Sequence, residues 1–126
     1  MKLDEAIMQV EDLLRGNNIS RETKVRWLSE LDEKVYHEVI LTHKGGEDTS
    51  FVPYTPDTDG DTMLLIPFPH DAVYIEYLKM KINSELYEYT RYNANLDAYT
   101  SMMDAFRKAY NREHMPLRRR GFLWWR

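Results

Sequence analysis

The chain has 126 residues, 43% of them hydrophobic and 30% charged, with 21 acidic against 17 basic side chains and no cysteine. This length is enough for one domain and too short for two independent cores, and the lack of cysteine excludes disulfides and most structural zinc sites. No segment approaches the ~20 apolar residues of a membrane span, and the early acids Asp4 and Glu5 are unlike a signal peptide, so we expect a soluble, intracellular protein.

Apolar spacing predicts two helices in the first third of the chain. The first covers about residues 2–15 and stops at Gly16. Ser20 is a good cap for the second, which is predicted to continue to about residue 42. Trp27 in this helix is expected in the core.

Two further helices are predicted in the last half of the chain. Asp71 can cap a third helix that runs to about Tyr92, where Asn93-Ala94-Asn95 weakens or breaks the pattern. A fourth helix follows from Leu96 and ends at Met115-Pro116. The fold class predicted is all-α, a four-helix bundle over residues 1–116 with an extended C-terminal tail, residues 117–126.

Residues 43–69 separate the second and third helices and predict an arm with a β-hairpin. Two apolar runs, 51–52 and 63–66, flank a turn sequence at 57–61, and four prolines exclude a long helix from residues 47–69. Insertions of this length in small bundles usually serve function or assembly. We therefore predict that the arm contacts a neighbouring subunit through Phe51, Val52, Tyr54, Met63, Leu64 and Leu65.

The sequence contains no strong catalytic or metal-binding motif. Three aspartates at 57, 59 and 61 hint at a calcium loop, but Gly60 is misplaced for an EF-hand. The four histidines are scattered and are expected at the surface or at helix caps: His37, His43, His70 and His114. We expect no enzyme activity, no metal and no cofactor.

The tyrosines of the last two helices fall on more than one face. Most are expected in the core, but their number exceeds what a small monomer needs and favours an oligomer over a monomer. Tyr74, Tyr87 and Tyr92 are the candidates for a subunit interface.

The last ten residues are basic and aromatic, in contrast to the rest of the chain. They carry four arginines, two tryptophans and no acid, whereas residues 1–116 carry 13 basic and 21 acidic side chains, a formal charge of about −8. A disordered end, nucleic-acid binding and membrane-surface binding are alternatives, and docking into a protein groove is favoured. The residues of this predicted anchor are Arg118, Arg119, Arg120, Phe122, Leu123, Trp124, Trp125 and Arg126.

Two stretches of the sequence carry a family resemblance. They are Glu22-Thr23-Lys24-Val25-Arg26-Trp27-Leu28-Ser29-Glu30-Leu31-Asp32, continuing to Val39-Ile40, and residues 67–116, which include Tyr74-Ile75-Glu76-Tyr77-Leu78, Arg91-Tyr92-Asn93 and Tyr110-Asn111-Arg112-Glu113-His114-Met115-Pro116. Together they resemble the small head-tail connector (adaptor) proteins of tailed bacteriophages and of prophages in Gram-positive bacteria. The resemblance lies in helix-surface and cap residues and covers most of residues 20–116.

The resemblance implies a helical structural subunit of the virion neck, assembled in the host cytoplasm as a dodecameric ring beneath the portal protein. Such a ring extends the channel for the genomic DNA, which passes without sequence-specific binding, and offers a platform to the next neck or tail-completion protein. In this family a C-terminal segment helps to dock on the portal, and the basic, aromatic tail matches that segment in role only. The rival interpretations are a small helical nucleic-acid-binding or regulatory protein that uses the arginine-tryptophan tail, and a small enzyme or metal protein.

Overall fold

The computed structural model of the chain describes residues 1–117. In this part of the chain there are four α-helices and no β-strand, which confirms the all-α class. The helices are α1 (Leu3–Leu13), α2 (Arg21–Val35), α3 (Val73–Glu85) and α4 (Tyr89–Glu113). None of these helices is both long enough and apolar enough to cross a membrane.

The first helix and the start of the second lie close to their predicted limits, because short-range signals determine them. The Ser20 hydroxyl accepts a hydrogen bond from the Thr23 amide at 3.1 Å and so caps α2. Gly16 has a positive φ of 81°, which a glycine adopts at little steric cost. Regular α2 ends earlier than predicted, at Val35, and continues as a π-helical turn, Tyr36–Ile40.

The boundary between α3 and α4 differs from the prediction. The chain turns at residues 86–88, whereas Asn93-Ala94-Asn95 lies inside α4. Asn95 is buried there, and its side-chain carbonyl accepts a hydrogen bond at 2.7 Å from the Asn83 amide on α3. That bond gives the buried side chain of Asn95 a hydrogen-bond partner, without which its burial would be unfavourable. The predicted Asp71 cap is also wrong, since Ala72 occupies the N-cap position of α3 without a side-chain bond.

Helix α4 is about twice as long as α3 and therefore has two different partners. Its first half packs on α3, where the Tyr77 and Tyr99 rings lie 5.3 Å apart. Its second half covers the π-helical turn, where the Arg107 guanidinium lies 3.1 Å from Glu38. The main core combines residues from all four helices and the 41–72 segment, including Leu3, Val10, Leu28, Leu31, Ile66, Val73, Leu78, Ile82 and Phe106.

The predicted β-hairpin is wrong. Residues 60–64 do not pair with residues 51–54 but with the start of the chain, since the Leu3 amide donates to Thr62 and the Leu64 amide donates to Met1, both at 2.9 Å. Residues 41–72 are thereby held against the helices, and they do not protrude as an arm. The turn residues at 57–61 indicated a reversal of the chain. Which acceptor each backbone amide then bonds depends on the segments that the whole fold brings near it.

Candidate functional site

A buried carboxylate attaches the 41–72 segment to the helices. Asp32 of α2 is fully buried and accepts hydrogen bonds from the Tyr54 hydroxyl at 2.5 Å, the Tyr74 hydroxyl at 2.6 Å and the Leu65 amide at 3.0 Å. Burial raises the pKa of Asp32, and the three hydrogen bonds to its carboxylate only partly oppose that rise. The Tyr74 hydroxyl also accepts from the Ile66 amide at 2.7 Å. This network is structural, because every polar group in it has a partner inside the chain.

The network corrects the prediction that Tyr74 faces a neighbouring subunit. Tyr74 has no exposed surface, and burial together with the Asp32 charge raises the pKa of its hydroxyl. A tyrosine can enter a core when its hydroxyl finds a partner there. Of the other two interface candidates, Tyr92 is half-buried and Tyr87 is 75% exposed.

Four of the six residues predicted for the subunit-contact arm pack inside the chain. Tyr54 and Leu64 are buried, Leu65 is half-buried, and Phe51 packs with its ring centroid 5.9 Å from that of Tyr36. They were predicted to contact a neighbouring subunit because the segment was expected to protrude as a hairpin. Only two residues of the predicted set are exposed, Val52 at 77% and Met63 at 60%.

The turn between α3 and α4 exposes a cluster of large side chains, here called the turn group. Its members are Leu86, Tyr87 and Tyr89, which are 43%, 75% and 62% exposed. Tyr87 has a φ of +58°, an uncommon value for a residue that has a Cβ atom. Its ring lies 6.3 Å from that of Tyr89 and is otherwise open to solvent. An exposed aromatic residue in such a conformation is a reasonable candidate for a contact surface.

A second exposed pair, Met63 and Phe68, is here called the segment group. Met63 is 60% exposed and lies opposite Lys2, directly before α1. Phe68 is 84% exposed and precedes α3 in the chain. Sequence reasoning missed Phe68 because it stands among prolines outside both apolar runs.

The turn group and the segment group lie at opposite ends of the helical body. Leu86, at the end of α3, lines one cleft with Leu14 at the end of α1, whereas Met63 and Phe68 lie near the starts of these helices. The 11 residues of α1 and 13 of α3 span about 16 and 20 Å at 1.5 Å per residue. The two groups are therefore different exposed apolar surfaces at different ends of the body. The other exposed large hydrophobic residues of the described chain are Met8, Leu13, Val52, Met115 and Leu117.

The last described residues, 115–117, have a defined position and are here called the tail root. The Lys44 amide donates to Met115 at 2.7 Å and the Leu117 amide donates to Thr42 at 2.8 Å, so residues 115–117 run antiparallel to residues 42–44. All the predicted anchor residues after this point, Arg118, Arg119, Arg120, Phe122, Leu123, Trp124, Trp125 and Arg126, lie outside the described residues.

His43 joins the tail root to the helices. Of the two predicted alternatives its burial contradicts the surface position, whereas its bond to a carbonyl at the end of the π-helical turn agrees with the capping role. It is buried, and its Nδ1 donates to the Val39 carbonyl at 2.5 Å. Its Nε2 lies 2.5 Å from Oδ1 of Asn111 on α4, and its ring lies 4.7 Å from that of Tyr110. Both ring nitrogens therefore have partners, which is what a buried histidine requires.

Residues 1–117 contain no group of three or more histidine, aspartate or glutamate side chains placed to hold a metal ion. The aspartates considered for calcium have local partners, since Asp59 accepts from the Asp61 amide at 2.9 Å and Asp61 pairs with Lys2 at 3.7 Å.

No family model, no curated protein and no solved structure matches the chain. The turn group, the segment group and the tail root are the candidate contact sites of the described chain.

Proposed function

We propose that the chain is a structural virion protein, a head-tail connector subunit that forms a ring beneath the portal protein. The ring extends the DNA channel and gives the tail a platform for attachment. The observation that carries this proposal is the pair of exposed apolar surfaces at opposite ends of the body. A subunit in a ring contacts its two neighbours through two different surfaces, and such a heterologous arrangement forms a ring when the rotation between subunits closes.

The positions of the residues that carry the resemblance support the same proposal. Residues 22–32 belong to α2, residues 74–78 to α3, and residues 91–93 to α4. The resemblance therefore covers three of the four helices that form the body, and the turn group lies between two of these stretches.

The charge of the body suits a conduit for DNA. Residues 1–116 carry a formal charge of about −8, so the walls of a ring built from this body would repel phosphates. DNA could then slide through the ring without being held. The basic residues of the tail would be reserved for the portal, where arginines can bind carboxylates through two hydrogen bonds.

The test is electron microscopy of the chain mixed with the portal ring of the virus or prophage that encodes it. The full-length chain is compared with a chain that ends at Leu117, because this truncation keeps the hydrogen bond from Leu117 to Thr42 and hence the tail root. A second ring-shaped layer on the portal with the full-length chain alone would support both the connector role and the tail as the anchor.

The other outcomes separate the two parts of the proposal. A second layer with both chains would support the connector role and contradict the tail as the anchor. No layer with either chain would contradict the connector role and favour the nucleic-acid-binding alternative. That alternative predicts DNA binding by the full-length chain that weakens steeply with salt and is lost when Arg118, Arg119 and Arg120 are replaced.

A further inference from the structure

A cleft with a basic lining lies beside the turn group. Its volume is about 370 Å³, and it has Leu14 and Leu86 as apolar residues and Arg15 and Arg91 as charged ones. Arg15 follows the end of α1 and Arg91 lies in the first turn of α4, so two separate elements contribute the positive charge. Among the described residues the lining contains no acid, although residues 1–116 carry a formal charge of about −8.

Both arginines of this cleft are accessible to a partner. Arg15 and Arg91 are exposed, and neither forms an ion pair with a carboxylate within residues 1–117. The nearby acids Glu85 and Glu88 are exposed as well, but they lie outside the lining of the cleft. Because a guanidinium binds a carboxylate through two parallel hydrogen bonds, a partner that brings carboxylates to the turn group would fit these two residues.

The opposite end of the body presents exposed carboxylates. Three of them share one loop, residues 57–61, and belong to Asp57, Asp59 and Asp61. The loop lies beside the segment group, since the Gly60 carbonyl accepts from the Asp4 amide in the first turn of α1 at 3.0 Å and Met63 follows closely in the chain. Of the three acids, only Asp61 pairs with a basic side chain in residues 1–117, Lys2 at 3.7 Å. The loop therefore presents more carboxylates than the described part of its own chain neutralises.

We propose that the cleft beside the turn group binds the 57–61 loop of a second copy of the chain, with Arg15 and Arg91 on the carboxylates of that loop. Charge and position both indicate this occupant, because the loop adjoins the segment group that meets the turn group of the next copy. The loop cannot fill the cleft of its own molecule, since its hydrogen bonds hold it at the other end of α1. The ring proposed above and this pairing both need copies in head-to-tail contact, so the pairing rests on the proposed function.

The charged pairs give the contact a direction that apolar surfaces alone do not specify. Two turn groups, or two segment groups, could also associate with each other through their apolar side chains. The basic clefts of two copies repel each other, however, and so do two acidic loops, so only the head-to-tail arrangement brings opposite charges together. Because the charges are exposed, salt screens them, and raising the salt concentration should weaken the contact.

The experiment reverses the charge of each surface and follows assembly of the full-length chain by analytical ultracentrifugation, or by electron microscopy on portal rings. One variant combines Arg15→Glu with Arg91→Glu, and the other combines Asp57→Lys with Asp61→Lys. Asp59 is kept, because its carboxylate accepts from the Asp61 amide at 2.9 Å. Either variant alone should need at least about tenfold more protein to assemble, since like charges then face each other across the contact. An equimolar mixture should recover the assembly of the unmodified chain, because every contact between the two variants pairs opposite charges.

The matched control is Lys34→Glu with Lys108→Glu, which makes the same change in net charge at two exposed lysines beside the second half of α4 and should leave assembly unaltered. Assembly of a reversed variant at the concentration that suffices for the unmodified chain would overturn the pairing and leave the connector proposal standing. A mixture that assembles no better than its two components, or an equal loss in the control, would have the same meaning. Failure of the unmodified chain to assemble, alone or on portal rings, would contradict the connector proposal and the pairing together.

Discussion

At the scale of single residues, Asp32 decides the path of the long 41–72 segment. Its carboxylate accepts hydrogen bonds from three groups that are far from it in sequence. These are the hydroxyls of Tyr54 and Tyr74 and the amide of Leu65. Tyr74 lies on α3, whereas Tyr54 and Leu65 lie on the segment, so Asp32 joins α2 to both. In the sequence Asp32 stands among other charged residues of the second helix, and no local signal distinguishes it from them.

Replacing Asp32 by alanine should destabilise the protein by at least about 3 kcal/mol, because three buried donors lose their acceptor and each costs about 1–3 kcal/mol. The free energy of unfolding in urea measures this effect. Glu33→Ala is the matched control, since Glu33 is an exposed acid on the same helix, and it should change stability by less than about 0.5 kcal/mol. Equal effects of the two substitutions would contradict the role assigned to Asp32.

A second buried charge, Lys24, performs a similar task between α1 and α2. Its ammonium donates to Asn17 Oδ1 at 3.1 Å and to the Ile19 carbonyl at 3.0 Å, and it pairs with Glu11. Burial lowers the pKa of Lys24. The helical spacing of the apolar residues located both helices correctly, but it contained no sign that this lysine is turned inward.

At the scale of elements, the end of the π-helical turn depends on a glycine. Gly46 comes so close to the Ile40 carbonyl that an added Cβ atom would overlap the backbone oxygen. Gly45 and Gly46 follow the π-helical turn, and Gly46 begins a short 3-10 helix, Gly46–Asp48. The close approach of two backbone segments could not be foreseen, because it depends on how the chain folds back after the turn.

Gly46→Ala should therefore destabilise the protein by about 1–3 kcal/mol, since backbone must shift to admit the methyl group. Thermal or urea unfolding followed by circular dichroism measures the loss. Gly60→Ala is the control, because the atoms nearest to a Cβ atom there belong to the side chain of Asp4, which can rotate away at the cost of its partly exposed ion pair with Arg21. A loss at Gly60 as large as that at Gly46 would show that the backbone contact is not the cause.

At the scale of the whole molecule, the two exposed groups make a prediction about assembly. Tyr89→Asp disables the turn group, and an acid at the first residue of α4 is compatible with the helix. Phe68→Asp disables the segment group. Neither variant alone should assemble under conditions in which the unmodified chain assembles, either at high concentration or on portal rings. The reason is that every contact between copies needs one turn group and one segment group.

An equimolar mixture of the two variants should instead form a dimer that grows no further, since one intact turn group can meet one intact segment group. Analytical ultracentrifugation distinguishes the dimer from monomers and from larger assemblies. Symmetric self-association of either variant alone would contradict the head-to-tail arrangement.

The sequence by itself determined the all-α class, the number of helices in residues 1–117, the cap at Ser20, the stop at Gly16 and the core position of Trp27. These features depend on the spacing of apolar residues and on caps, which act within a few residues along the chain. The same local signals placed the break between the third and fourth helices wrongly, because the bond between Asn83 and Asn95 joins residues on two different helices.

Only the tertiary structure decided which residues of the 41–72 segment and which tyrosines are available at the surface. Tyr54, Leu64 and Tyr74 are buried because their partners lie on other elements, and the strand-like residues 60–64 pair with the start of the chain instead of forming a hairpin. Local composition cannot specify these choices, since a backbone amide or a hydroxyl is satisfied by any acceptor that the fold brings within reach. The tail root likewise exists because distant residues meet, since residues 115–117 pair with residues 42–44.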